Sequence, residues 1–212
     1  MRIKWWGHSC FLIEKDNLKV ITDPYDESLP YSKITDQPDF VTVSHSHFDH
    51  NAVQNLTGNF EVIDSASGFK SDQIEVEAIK SYHDDNQGSE RGENLIYLIK
   101  LGNETICHLG DLGHLLAKDV IAKLAGVNIL LIPVGGYYTI DAEQAFSLIK
   151  KIKPDLVIPM HYKTDILDFP ITGVEKFTDK FEAKQIEKLA QADFETTKFS
   201  NKQVIIPDYV KK

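Results

Sequence analysis

The segment Ser44-His45-Ser46-His47-Phe48-Asp49-His50 follows directly on the apolar run Phe40-Val41-Thr42-Val43, and this junction constrains the whole chain. Four side chains able to bind a first-row metal, His45, His47, Asp49 and His50, fall within six consecutive positions. Imidazole nitrogens and carboxylate oxygens are the donors that Zn²⁺ and its neighbours accept. The β-branched run reads as a buried strand, and successive side chains leaving a strand point to alternate sides. The segment can therefore serve two neighbouring points in space. It predicts a metal site, and the chain must fold so that a strand end presents it.

The spacing His-x-His-x-Asp-His resembles the signature of the metallo-β-lactamase-fold hydrolases. Further landmarks follow in the order of that family: Asp23 in Ile21-Thr22-Asp23-Pro24, then His83, then Asp111 in His108-Leu109-Gly110-Asp111, then His161 in Pro159-Met160-His161-Tyr162. The stretches Trp6 to Glu14 and Ile158 to Tyr162 are similar to the small metal-dependent hydrolases related to ascorbate-phosphate lactonases. The resemblance covers residues 1 to about 165 and is silent on substrate. It implies an α/β (α+β) fold, a four-layer αββα sandwich with the ligands on loops along one edge of two sheets. Periodicity alone gives only mixed α and β.

Five histidines (His45, His47, His50, His83, His161) and two aspartates (Asp49, Asp111) make up the implied ligand set. One tetrahedral Zn²⁺ uses three protein ligands and leaves a fourth position to water, so the surplus implies two ions. By similarity His45, His47 and His83 hold one, and Asp49, His50 and His161 hold the other. Asp111 bridges them, since a carboxylate offers two oxygens. Ions about 3.5–4 Å apart share a hydroxide whose pKa falls to about 7, and that hydroxide is the expected nucleophile. Asp49 and Asp111 are then catalytic as well as metal-binding. The cofactors expected are two divalent ions, zinc foremost, with manganese, iron or nickel as substitutes. The resemblance also makes Asp23 a carboxylate that orients a histidine ligand. On residue type alone, Asp23-Pro24 is a turn ending a strand.

Two departures from the family pattern stand out. Relatives carry Gly-His before a small hydroxyl residue where this chain has Tyr82-His83-Asp84-Asp85, so His108 competes with His83 for one ligand position; chain order favours His83. Leu112 stands where relatives often have Thr, which removes a hydrogen bond to the bridging carboxylate. His8, His108 and His114 each read equally as packed imidazoles or as groups supporting the site. In Val134-Gly135-Gly136-Tyr137-Tyr138-Thr139 the glycines let backbone approach a ligand. Tyr137 is the catalytic candidate there, its phenol placed to hydrogen-bond a developing oxyanion, and Tyr138 reads as a core aromatic. Arg91 and Lys163 read first as solvated surface, with an anionic substrate group as their alternative partner.

At 212 residues and 42% hydrophobic, the chain reads as one hydrolase domain over 1–212 with ample core. Lys+Arg 23 against Asp+Glu 32 gives a net charge of −9, which disfavours nucleic acid and anionic membrane surfaces. No apolar stretch approaches the ~20 residues of a spanning helix, and Met1 to His8 lacks the apolar core of a secretory signal. Cys10 and Cys107 lie far apart and suggest no disulfide framework. A cytoplasmic protein acting on a small-molecule substrate is expected, and a homo-oligomer is compatible with the sequence.

Strands are predicted at Ile3–Trp6, Cys10–Glu14, Leu18–Thr22, Phe40–Ser44, Phe60–Ile63, Ile74–Ile79, Leu95–Leu101, Glu104–Leu109, Val127–Ile132, Leu156–Ile158 and Gln203–Ile206. Helical stretches are predicted at Ala52–Leu56, Leu115–Ala125, from an Asp141 cap through Ile152 with Ala142, Ala145, Phe146 and Ile149 on one face, and at Gly173–Phe181. The segment from Ser81 to Glu93 is a polar loop beside the ligands. Together these features predict a binuclear metal-dependent hydrolase that cleaves an ester, lactone, amide or phosphodiester bond of a small molecule, anionic or neutral. Two other classes share the fold: iron-dependent redox or oxygen enzymes, whose di-iron members tend to carry Glu where this chain has His47, and metal-binding sensors without turnover.

Overall fold

A computed structural model describes residues 1–199 and 201–211, which form two β-sheets and three α-helices. The chain opens with an antiparallel meander of β1 (Arg2–Gly7), β2 (Cys10–Lys15) and β3 (Leu18–Thr22). Asp16 and Asn17 join β2 to β3 at φ 52° and 67°, the positive-φ pair that a tight two-residue hairpin needs. Then β4 (Phe40–Thr42) and β5 (Glu61–Ile63) add in parallel beside β3.

The second sheet begins with β6 (Phe69–Lys70), β7 (Glu75–Tyr82), β8 (Glu93–Leu101) and β9 (Glu104–His108), all antiparallel. Helix α1 (Lys118–Leu124) leads to β10 (Ile129–Pro133), and α2 (Ala142–Ile152) leads to β11 (Leu156–Met160). After the short α3 (Glu175–Thr178) come β12 (Ile186–Lys188), β13 (Asp193–Glu195) and β14 (Val204–Ile206). The sheet orders are β13-β1-β2-β3-β4-β5 and β12-β14-β11-β10-β9-β8-β7-β6. No helix among the described residues is long and apolar enough to cross a membrane.

Burial follows from these pairings. The parallel strands β10 and β11 are buried at every position, as expected of strands covered on both faces. Helix α2 starts on the predicted cap: Asp141 accepts from the Gln144 amide at 2.8 Å, and the Gln144 side chain accepts from the Asp141 amide at 3.0 Å. It ends with Lys153 at φ 55°. Its buried face includes Leu148 and Ile152, while Phe146, expected in that face, is half-buried and packs edge-on against Phe181.

Other expectations shorten. Residues 115–117 are not helical, and the stretch after Gly173 is helical only over Glu175–Thr178. The stretch expected to be helical after the ligand cluster is a 3₁₀ turn, Val53–Asn55. Strands β6, β12 and β13 lie outside the prediction. Each has two or three residues, too few for a period, and each lies at the edge of a sheet; β6 and β13 pair with longer strands, and β12 pairs with the equally short β14.

The two sheets are fastened at the end that carries the histidines. The fully buried Tyr97 on β8 donates its hydroxyl to the carbonyls of Val43 (2.8 Å) and Ile63 (2.9 Å), at the ends of β4 and β5. The Leu95 amide also donates to the Ser44 carbonyl at 2.8 Å. Across the sandwich, Trp5 packs 5.2 Å from the Tyr162 ring and donates its indole N–H to the His8 carbonyl. Burying an aromatic of this size removes about 150–250 Å² from water, roughly 4–6 kcal/mol.

Candidate metal centre

The loops after β1, β3, β4, β7, β9 and β11 converge on one edge, and the predicted residues meet there. His45, His47 and His83 bring one ligand atom each to within 4.8 Å of one another. A second such group consists of His8, Asp49, His50 and His161. Asp111 lies between the two groups. Its Oδ2 is 3.0 Å from His83 Nε2, 3.1 Å from His161 Nε2, 3.3 Å from His50 Nε2 and 4.0 Å from His45 Nε2. Its Oδ1 is buried without a partner.

Hydrogen bonds fix the ring nitrogens. Asp23, fully buried, accepts from the Ser44 amide (2.8 Å), the Ser44 hydroxyl (2.6 Å) and His50 Nδ1–H (2.8 Å). The same Ser44 oxygen lies 2.9 Å from His45 Nδ1 and accepts its proton. His83 Nδ1–H donates to the Tyr138 carbonyl at 3.1 Å. In each case Nδ1 carries the proton and Nε2 faces Asp111. His45 Nε2 and His50 Nε2 are buried with no hydrogen bond, and unpartnered buried polar atoms of this kind call for a partner.

The electrostatics agree. Burial and the charge of His50 push His45 down to about 3, so its imidazole is neutral at pH 7 and its Nε2 lone pair is free. Burial would lower His50 too, but Asp111 and Asp49 outweigh it and hold its pKa well above the ordinary value. Burial likewise opposes ionisation of Asp111, yet the histidines at 3.0–3.3 Å keep it well below the usual carboxylate range. Buried carboxylate thus draws positive charge into the middle of the cluster.

The backbone at this edge is unusual. His8, Asp23 and His161 have φ of 52°, 40° and 49°, a left-handed region that Asp and His enter more readily than most side chains. Three such residues at one site still cost conformational free energy that the surrounding fold offsets. His161 is placed partly by the hydrogen bond that its amide donates to the His8 carbonyl at 3.2 Å. Gly135 lets this loop close: a Cβ there would stand 2.2 Å from the His161 carbonyl oxygen. The close approach expected at this glycine is therefore to protein backbone, not to a ligand.

Four candidates resolve by position. His8 belongs to the cluster: its Nε2–H donates to Asp49 Oδ2 at 3.1 Å, its ring lies 4.2 Å from that of His161, and its Nδ1 is buried and unpartnered. Burial pushes its pKa down to about 4. His108 does not belong: Nε2–H donates to the Ser9 carbonyl (3.0 Å) and Nδ1 accepts from the Gly110 amide (3.2 Å), so both nitrogens are occupied. His114 accepts from the Tyr82 amide through Nε2 and donates through Nδ1 to the Leu115 carbonyl, bracing its loop. Lys163 faces Asp168 at 3.9 Å, away from the cleft.

The tyrosines exchange places relative to the prediction. Tyr137 is 67% exposed and borders a separate hollow beside Asp141 and Lys180. Its φ of 64° turns the side chain outward, and it does not reach the ligand cluster. Tyr138 instead lines the cleft of about 510 Å³ above the cluster, with Phe48, Phe169 and Arg91. Sequence reasoning also passed over Asn94. Fully buried, it accepts from the Asp111 amide through Oδ1 (2.9 Å) and donates through Nδ2 to Ser81 Oγ (2.8 Å) and the Leu109 carbonyl (3.0 Å). Asn94 sits at the polar start of β8, between Glu93 and the apolar run from Leu95, so nothing in its neighbourhood set it apart.

Two facing sheets carrying a histidine–aspartate cluster on the loops of one edge, the cluster split into two groups about a shared carboxylate, describe the class to which metallo-β-lactamase-fold proteins belong. The family profile of the β-lactamase superfamily domain matches residues 2–161, and the chain belongs to the metallo-β-lactamase superfamily. A UPF0173 metal-dependent hydrolase of Nanoarchaeum equitans is 31% identical over 89% of this chain and 95% of its own. One from Carboxydothermus hydrogenoformans is 29% identical over 85% of this chain and 92% of its own. A crystal structure from Thermotoga maritima, described as a candidate Zn-dependent hydrolase of the superfamily, superposes with a TM-score of 0.82 at 30% identity, covering 99% of both chains.

Proposed function

We propose that the protein is a metal-dependent hydrolase with a binuclear, zinc-preferring centre, cleaving an ester, lactone, amide or phosphodiester bond of a small molecule. The observation that carries this reading is Asp111, a buried carboxylate whose Oδ2 lies within 4.0 Å of two histidines from each ligand group while its Oδ1 has no partner. Asp49, the other carboxylate of the set, belongs to the second group. Two divalent ions at such a site supply a nucleophile from water near neutral pH and polarise the bond to be broken.

The protein's own residues do the positioning. Asp23 and Ser44 hold His50 and His45 in the tautomer that turns Nε2 inward. His8 fixes the Asp49 carboxylate, and Asn94 fixes the turn that delivers Asp111. Phe48, Tyr138 and Phe169 wall the cleft, limiting water and favouring a substrate with an apolar body. Cys10 and Cys107 are free and buried, which fits a reducing cytoplasmic setting.

Elemental analysis after mild purification is expected to find about two metal equivalents per chain, because the ligands exceed what one tetrahedral centre uses. Chelation should abolish activity on a panel of chromogenic esters, lactones and phosphodiesters. A single tight equivalent, unchanged by excess Zn²⁺ or Mn²⁺, would refute the binuclear centre. His83→Ala should lose metal, whereas His108→Ala should keep the wild-type content. Truncating a group that only supports ligands lowers affinity by ~10–100-fold, and His108 touches only backbone. The reverse outcome would transfer the ligand role to His108.

A further inference from the structure

We infer that Arg91 forms an oxyanion-binding subsite at the rim of the cleft, so that the substrate carries a carboxylate or phosphate remote from the bond that is cleaved. This rests on the hydrolase reading for the cleavage, but not for the binding. Arg91 is the only Lys or Arg among the described residues lining the cleft. Its guanidinium carbon lies 5.5 Å from the centre of the Tyr138 ring. A cation held over a ring keeps its N–H donors available to grip a planar or tetrahedral oxyanion in two-point fashion. Its acidic neighbour, Glu90, stands at 3.8 Å and is more exposed than Arg91 itself.

The arginine is also held in place. Asp84, buried beside His83, accepts four backbone amides: Asn86 (2.9 Å) and Gly88 (2.8 Å) on Oδ1, Glu90 (3.1 Å) and Arg91 (2.8 Å) on Oδ2. The loop closes where the His83 amide donates to the Gly92 carbonyl at 3.0 Å. A loop organised around one carboxylate thus carries a cluster histidine at one end and the rim cation at the other. From Arg91 a run of edge-to-face and tilted rings leads inward: Tyr138 to Phe169 at 6.1 Å, Phe169 to the buried His8 at 5.8 Å, His8 to His161 at 4.2 Å. A ligand in the cleft has its apolar body against Tyr138 and Phe169, one end at the ligand cluster and the other at Arg91. The chain's net charge of −9 repels anions at long range, so any anion selectivity must be local. Arg91 supplies it.

The test is isothermal calorimetry on the metal-loaded protein with three straight-chain probes: butyrate, glutarate and 3-phosphonopropionate. Contacts to the metal centre are common to all three, and only the latter two offer a second oxyanion. Wild type should bind at least one of these two ~10–100-fold more tightly than butyrate, the range for a charge-assisted pair. Which of them does so distinguishes carboxylate from phosphate. Arg91→Met, which keeps the length and apolar stem, should abolish the preference. Arg91→Lys, which keeps charge without the fork, should retain part of it. No preference in wild type, or one unchanged in Arg91→Met, overturns the subsite. If every chromogenic substrate fails while the preference holds and is lost in Arg91→Met, the hydrolase reading fails and the subsite stands.

Discussion

Asp111→Asn is expected to release metal from both ligand groups and to lower hydrolytic activity by at least ~100-fold, about 2.7 kcal/mol of transition-state stabilisation. The side chain keeps its size and one acceptor oxygen but loses its charge and its second equivalent oxygen. Among the described residues, no other carboxylate has an oxygen within 4.0 Å of His45, His50, His83 and His161 together. The fold should persist, because the Asp111 amide is held by Asn94 independently of its carboxylate. Circular dichroism and elemental analysis of one preparation check both halves. Wild-type metal content in the variant would show that this carboxylate does not join the two groups.

Asp23→Asn should weaken metal binding by ~10–100-fold and destabilise the fold by about 2–4 kcal/mol, because Asp23 holds the ligand His50 by its Nδ1 and lies in one group with His45 and His50. Asn tolerates the left-handed backbone, φ 40° here, so the effect is not one of backbone strain. Asp23 Oδ1 accepts from the Ser44 amide, which orients the asparagine oxygen to that side. Its NH₂ then replaces Oδ2, meeting the Ser44 hydroxyl and His50 Nδ1–H. The hydroxyl can rotate to accept, but His50 must move its proton to Nε2, the nitrogen that faces Asp111 at 3.3 Å. Urea denaturation gives the stability change, and ¹⁵N shifts of His50 report the tautomer. An unchanged tautomer with unchanged metal affinity would remove Asp23 from the site.

Much of the site was legible because it is local. His45, His47, Asp49 and His50 lie within one turn of chain at a strand end, so spacing alone brings them together. The Asp141 cap and the all-buried β10 and β11 are equally local, set by hydrogen bonds three residues apart and by unbroken apolar runs. The landmarks Asp23, His83, Asp111 and His161 were legible only through the resemblance, since nothing in their own neighbourhoods marks them as partners.

The rest depended on which loops meet once the sheets face each other. His8 reaches Asp49 across 41 positions, and Asn94 reaches Asp111 across 17; neither separation has a period that a sequence can display. His108, by contrast, competed with His83 for a ligand position from its place three residues before Asp111, but Ser9, 99 positions away, takes its ring proton. Between adjacent tyrosines, one backbone angle decided: φ of 64° turns Tyr137 to solvent and leaves Tyr138 to wall the cleft and carry Arg91. The sequence by itself determined the ligand-bearing strand end, the capped helix and the buried parallel strands, all of them governed by contacts a few residues apart. Only the tertiary structure decided which buried polar groups are satisfied by backbone and which are left facing the centre, because that depends on contacts between segments far apart in the chain.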